Sequence, residues 1–146
     1  MKQYTMVAVA LAAIIGLGFW IAGPQDDTPV SNSSRMAVTG TVLISVELPE
    51  TLSPNAQIGK QIFDIKCAVC HGANAGGQQD VAPSFVQKIY EPSHHGDLAF
   101  LSAVRNGVQA HHWDFGNMPP VEGLTDGDVK MVVAYVRELQ RANGIN

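Results

Sequence analysis

The chain has 146 residues, of which 46% are hydrophobic and 15% charged, with a formal net charge of −4. That length suits one small domain, and the mildly acidic balance excludes a generally basic binder that tracks nucleic-acid phosphates. The apolar content excludes a disordered acidic chain, and two cysteines are too few for a disulfide-stapled scaffold.

The first element in chain order is the apolar run Met6–Ala22. It carries no charge, and its only hydrogen-bonding side chain is the Trp20 indole. At a rise of about 1.5 Å per residue it stands at the short end of what spans a bilayer as a helix. Lys2 precedes it, and Gly23, Pro24, Asp26 and Asp27 follow. A cleaved secretory signal would place small residues at its exit, but this run leaves through Phe19, Trp20 and Ile21. Trp20 also suits an interfacial position. The flanks favour an uncleaved signal-anchor over residues 1–23, a single pass through a bacterial inner membrane with the remainder in the periplasm. The alternative is a soluble periplasmic protein released by cleavage. Residues 24–52 then read as a linker, rich in Pro, Asp, Asn and Ser up to Ser34. Within it, Ala37–Leu48 is β-prone, either one short strand or an extended stretch with apolar contacts.

From Ser53 to Asn146 the pattern predicts helices joined by long loops, an all-α domain. Ser53 followed by Pro54 is a good cap and first-turn pair, and Ile58, Ile62 and Ile65 follow at helical spacing toward Cys67. Asp97 is the expected cap of a second helix bearing Leu98, Leu101 and Val104, stopped at Asn106–Gly107. Thr125 and Asp128 form a capping-box start to a last helix with Val129, Val132, Val133, Val136 and Leu139 on one face, and Gly144 beyond its end. Few helices and long loops make a thin core, so something large and apolar is missing from the polypeptide inventory.

The chemistry centres on Cys67-Ala68-Val69-Cys70-His71. Cys-x-x-Cys-His is the spacing of c-type haem attachment. On a helix the two thiols share a face and can meet two vinyl groups on one porphyrin edge, while the imidazole reaches the iron. A dithiol redox motif would lie near a βαβ pattern, which is lacking. A zinc site would need further ligands, for which His94, His95, His111 and His112 are available, but a histidine directly after Cys-x-x-Cys is poor spacing for one.

A sixth iron ligand is then required. Met1 and Met6 lie in the export segment, Met36 in the linker, and Met131 in the last helix, where packing is its simplest use. Met118 sits in the loop Phe115-Gly116-Asn117-Met118-Pro119-Pro120, stiffened by two prolines. It is the preferred ligand over His111 and His112, whose simplest use is on the surface or beside a haem propionate. Histidine–methionine ligation raises the potential relative to two imidazoles.

With these residues the stretch from about Ser53 to Asn146 resembles a class I cytochrome c. The resemblance is carried by Gly59 and Phe63 in the first helix, Cys67, Cys70 and His71, Pro83, Met118-Pro119, Leu124-Thr125-Asp126, and Tyr135 in the last helix. It implies a cytochrome c fold, a few helices wrapped around one covalently bound haem c, following an N-terminal transmembrane helix. It further implies that Gly59 permits close approach of the first and last helices, with Phe63, Val132 and Tyr135 packed at their crossing. Pro83 would stand on the proximal side, the loop preceding it accepting a hydrogen bond from His71. Arg105, Trp113 and His112 are candidate propionate partners.

The expected function is one-electron transfer by a membrane-anchored monohaem protein, with no substrate transformed. Its partners would be a redox donor and acceptor that dock transiently, and the membrane; no nucleic acid is expected. The alternatives are a haem c subunit of a larger oxidase or dehydrogenase, and a haem-based ligand sensor. The resemblance gives no settled role to the doublets His94–His95 and His111–His112 beyond the candidate propionate contact of His112.

Overall fold

Ser53 ends an extended stretch and turns the chain into α1, Pro54–Lys66. Its Oγ accepts from the Ala56 amide at 3.3 Å, and Pro54 fills a first-turn position whose missing N–H costs nothing. The same hydroxyl donates to Glu138 at 2.6 Å, so the cap also ties the first helix to the last. The computed structural model describes residues 41–146, all within one compact unit. The expected membrane run Met6–Ala22 and the linker up to residue 40 lie outside the described residues. No helix among the described residues is long and apolar enough to cross a membrane.

After α1 come α2 (Ala68–His71), α3 (Asp97–Asn106) and α4 (Asp126–Ala142). Single 3-10 turns lie at Ala73–Ala75 and Lys88–Tyr90. Among the described residues β-pairing is confined to isolated bridges, one of them Val42 with Gln78. The β-prone run therefore forms no strand over residues 41–48. It lies extended along the helical unit instead, with Ile44 N–H donating to Gly76 at 3.0 Å and Asn143 clasping Glu47 through both its side-chain oxygen and nitrogen.

The core forms where α1 meets α4. The buried face of α1 is Ala56, Gly59 and Phe63, the last two as the resemblance implied, while Ile58 and Ile65 are exposed and Ile62 is half-buried. The reason is steric. A Cβ built on Gly59 would collide with the Met131 carbonyl, so the backbones touch there and a branched side chain on this face would force them apart. Phe63, fully buried, fills the space beside the crossing, its ring 5.6 Å from Tyr135 and 6.4 Å from Phe85, both edge-on. Burying one such ring contributes roughly 1.5–3 kcal/mol, and the edge-on geometry adds to it.

The last helix begins as expected. Thr125 accepts from the Asp128 amide and Asp128 accepts in return from Thr125, a reciprocal cap that satisfies two amides at once. Val129, Val132, Val133, Val136 and Leu139 are buried, joined by Tyr135, Arg137 and Gln140. The start of α3 differs from expectation. Gly96 is the residue at the cap position and Asp97 is the first helical residue. The Asp97 carboxylate faces away from the α3 amides because Arg137 of α4 takes it at 3.0 Å.

Candidate functional site

Cys67 ends α1, its amide still donating to Phe63 at 2.8 Å, and α2 continues in the same sense. The Cys70 and His71 amides both donate to the Cys67 carbonyl, at 3.1 and 2.9 Å. One tight turn thus carries Cys67, Cys70 and His71 on successive corners. The Gln78 side chain donates to the Val69 carbonyl at 2.8 Å and to the Ala68 carbonyl at 3.2 Å, the latter also accepting from the Gly72 amide at 3.0 Å, so the clamp reinforces the end of this short helix. Gly72 and Gly77, both at positive φ, let the following loop fold back beneath this turn; a Cβ on Gly72 would stand 2.5 Å from the Gly77 oxygen.

The two cysteines form no disulfide, Cys70 being exposed and Cys67 half-buried. Burial, and then charge on Cys70, push the Cys67 thiol up to about 11. A dithiol redox site works through a depressed thiol, and the Cys67 environment acts in the opposite direction.

His71 is buried, and burial holds its imidazole below the usual histidine range, against the opposing effect of its hydrogen bond to Pro83. Its Nδ1 lies 3.0 Å from the Pro83 carbonyl oxygen. A carbonyl only accepts, so Nδ1 carries the proton and Nε2 keeps its lone pair. The acceptor is Pro83 itself, where the resemblance pointed to the loop before it. That loop has closed on itself: Gln78 and Ala82 exchange backbone hydrogen bonds at 2.9 and 3.2 Å, and Val81 also donates to Gln78. The His71 ring further stacks on Phe85, 4.1 Å between centroids. Together these contacts fix the orientation of Nε2.

Met118 is held by a two-bond bridge. Val108 and Met118 each donate to the other's carbonyl at 2.9 Å, closing residues 108–118 into a loop directly after α3. Gly107 at positive φ makes this approach possible, since a Cβ there would meet the Met118 oxygen at 2.5 Å. Inside the loop, Ala110 N–H donates to Asn117 at 2.9 Å, and the Trp113 indole donates to the Tyr90 hydroxyl at 3.2 Å.

The candidate propionate partners are mostly engaged. Arg105 pairs with Asp126, joining the end of α3 to the start of α4, and Trp113 is committed to Tyr90. His111 and His112 face His94 and His95: the His112 ring lies 5.7 Å from His94 and 5.3 Å from His95. Although its ring is exposed, partial desolvation by its neighbours, then repulsion from His111, His95 and His94, hold His112 below the usual range.

Sequence reasoning missed two side chains that organise this region. Gln78 had no local signal, being one polar residue in a polar loop. Arg137 is buried beside Val136 and donates to Tyr90 O at 2.8 Å, His95 O at 2.6 Å and Gln140 Oε1 at 2.6 Å. A basic residue among the apolar positions of the last helix was the available clue.

Residues 56–140 match the family model for cytochrome c. The chain belongs to the cytochrome c family. It is 32% identical over 100 residues to a protein named thiosulfate dehydrogenase from Psychrobacter arcticus, covering 66% of this chain and 29% of that one. It is 30% identical to the cytochrome bc1 complex cytochrome c subunit of Mycobacterium bovis, and equally to that of Mycobacterium tuberculosis, covering 48% of this chain and 32% of each. The chain therefore spans less than a third of the length of these curated relatives. No solved structure matches.

Family membership brings a covalently bound haem c, and the residues present fit one. Two unpaired thiols and a neutral imidazole with a bare Nε2 are the required donors. The apolar surroundings agree. On α3, Phe100 packs on the core and Leu101 and Val104 are half-buried, but Leu98 is 78% exposed, and Val69 between the cysteines is 68% exposed. Large apolar side chains left this exposed suit a porphyrin that would cover them.

Proposed function

We propose that this protein is a one-electron carrier in which Cys67 and Cys70 hold the haem, His71 is the proximal iron ligand and Met118 the distal one. The group supplies the one-electron redox change; the chain supplies ligation, a low-dielectric surround and orientation. Pro83 serves as the anchor that keeps the His71 ring turned. The observation that carries this reading is the His71–Pro83 hydrogen bond within the Cys67–Cys70–His71 turn, because it leaves one nitrogen, and only one, to bind metal. Met118 is assigned because its loop is pinned at the methionine itself, which lets a soft thioether hold position outside any helix.

The reading extends to an exported domain held at a bacterial inner membrane by the apolar run Met6–Ala22, with the polar stretch after it as a tether. Tethering would raise the effective concentration near membrane redox partners without requiring a tight interface. No substrate conversion is assigned to this chain. A second reading, a haem c subunit of a larger oxidoreductase, is favoured by the names of its relatives, a dehydrogenase and a bc1 subunit.

The test is expression with cytochrome maturation machinery followed by spectroscopy of wild type and Met118→Ala. Wild type should show haem that survives a denaturing gel and a near-infrared thioether–iron absorption. Met118→Ala should keep the covalent haem, lose that absorption and shift to a lower potential. An unchanged spectrum in the variant overturns the Met118 assignment, and a colourless wild type overturns the whole reading. Purification from intact membranes separates the two readings, a stoichiometric companion marking the second.

A further inference from the structure

The four histidines other than His71 occur as two doublets on different segments. His94 and His95 sit in the turn leading into α3, and His111 and His112 in the loop that the Val108–Met118 bridge closes. The fold gathers them. One ligand nitrogen from each of His94, His95 and His112 lies within 4.8 Å of the others. His111 stands alongside, its ring 4.2 Å from His112 and 6.2 Å from His95.

Three features go beyond proximity. First, the tautomers suit metal binding. His95 Nδ1 donates to the Ile89 carbonyl at 2.7 Å and His111 Nδ1 to the Gln109 carbonyl at 2.8 Å, so in both rings the bare nitrogen is Nε2. A carbonyl on one ring nitrogen and a cation on the other is the usual outer-shell arrangement of a metal-bound histidine. Second, the supports are rigid. The buried Arg137 donates to both Tyr90 O and His95 O, fixing the turn from the core side. The bridge and the Ala110–Asn117 hydrogen bond fix the loop. Third, the required adjustment is small. Nitrogens at about 2.0–2.1 Å from one tetrahedral ion stand about 3.3 Å apart. His94 and His112 are exposed and can close the remaining gap by side-chain rotation.

We propose that His94, His95 and His112 form a second metal site, which takes one divalent late first-row transition cation such as Zn²⁺ or Cu²⁺. The donor set is imidazole alone, which suits these ions and not Mg²⁺ or Ca²⁺, whose sites are built from oxygen. The fourth position goes to water or to His111. Occupancy would bolt the turn ahead of α3 to the loop that carries Met118. The site rests on Met118, and not His112, being the distal haem ligand, and its own test reads a second metal instead of the haem.

The experiment uses the untagged, haem-loaded protein, stripped of free metal with chelator and titrated with Zn²⁺ in a calorimeter, with Cu²⁺ followed in parallel by electron paramagnetic resonance. The expected result is saturable binding of one equivalent and a Cu²⁺ signal showing coupling to several imidazole nitrogens. His94→Gln and His112→Gln should each weaken binding by about tenfold or more, with the haem absorption unchanged as the check on folding. Mg²⁺ should give no saturable heat. Absence of one-equivalent binding in wild type, or binding unaltered in the His94→Gln/His112→Gln double variant, overturns the proposal.

Discussion

Gly59 of the first helix rests directly on the Met131 carbonyl of the last, with no room between them for a methyl group. In a free helix, Gly→Ala would add stability of up to about 1 kcal/mol. Here the added carbon must push two backbones apart, so Gly59→Ala should destabilise the domain by about 1–3 kcal/mol. Urea unfolding of the haem-loaded protein measures this, and a neutral or stabilising result would show that the crossing yields more easily than its geometry indicates.

Phe63 is the ring on which the crossing closes, and it is fully buried between Tyr135 and Phe85. Phe63→Ala should cost about 3–5 kcal/mol. Phe63→Leu, which keeps much of the volume, should cost distinctly less. Equal losses for the two would mean that ring geometry outweighs volume at this site.

Arg137 and Asp97 form an ion pair of unequal members, the arginine side chain 9% exposed and the aspartate 70%. The pair itself is worth little, because Asp97 is mostly in water. Arg137 also satisfies the carbonyls of Tyr90 and His95 and packs over Phe100 at 5.1 Å. Asp97→Asn should therefore change stability by less than about 1 kcal/mol. Arg137→Met should cost more, about 1–3 kcal/mol each for the His95 carbonyl and Gln140 Oε1 that lose this donor, while Tyr90 O keeps its bond from the Gln140 amide. Thermal unfolding of the two variants side by side decides between the pair and the carbonyls as the source of the effect.

Asp128 has its carboxyl held below the usual range by the Thr125 hydroxyl and the Thr125 amide. A carboxyl depressed on folding adds stability above its unfolded value, near 3.8, and that contribution fades as pH falls through the folded value. Asp128→Asn should accordingly lower the melting temperature at neutral pH and narrow its deficit below pH 3.8. A deficit independent of pH would assign the loss to geometry rather than charge.

The features legible in the sequence are those built from neighbours in the chain. Ser53-Pro54 and Thr125–Asp128 mark helix starts because a cap is a contact across three residues. The Cys67–Cys70–His71 turn is legible for the same reason, its spacing being its geometry. The buried face of α1 is legible only through the resemblance, which points to Gly59 and Phe63; the spacing of Ile58, Ile62 and Ile65 marks a helix but not its buried side, because close approach of helices selects the smallest residues. Asp97 was misread as a cap because its partner, Arg137, is far along the chain. The Gln78 clamp and the meeting of the two histidine doublets are likewise products of tertiary folding. No local pattern announces them.

The packing of α1 on α4 also sets a timetable. The chain leaves the ribosome from its amino end, so Ala56, Gly59 and Phe63 emerge well before Val132, Tyr135 and Leu139 exist to cover them. Until the last helix is made, the cysteine-bearing turn hangs from a helix that lacks its main partner, with Phe63 met only by Phe85 and its neighbours. Loss of the segment from Val132 onward would therefore abolish the domain outright instead of shortening it, and a stalled or clipped product would be an early target for proteases.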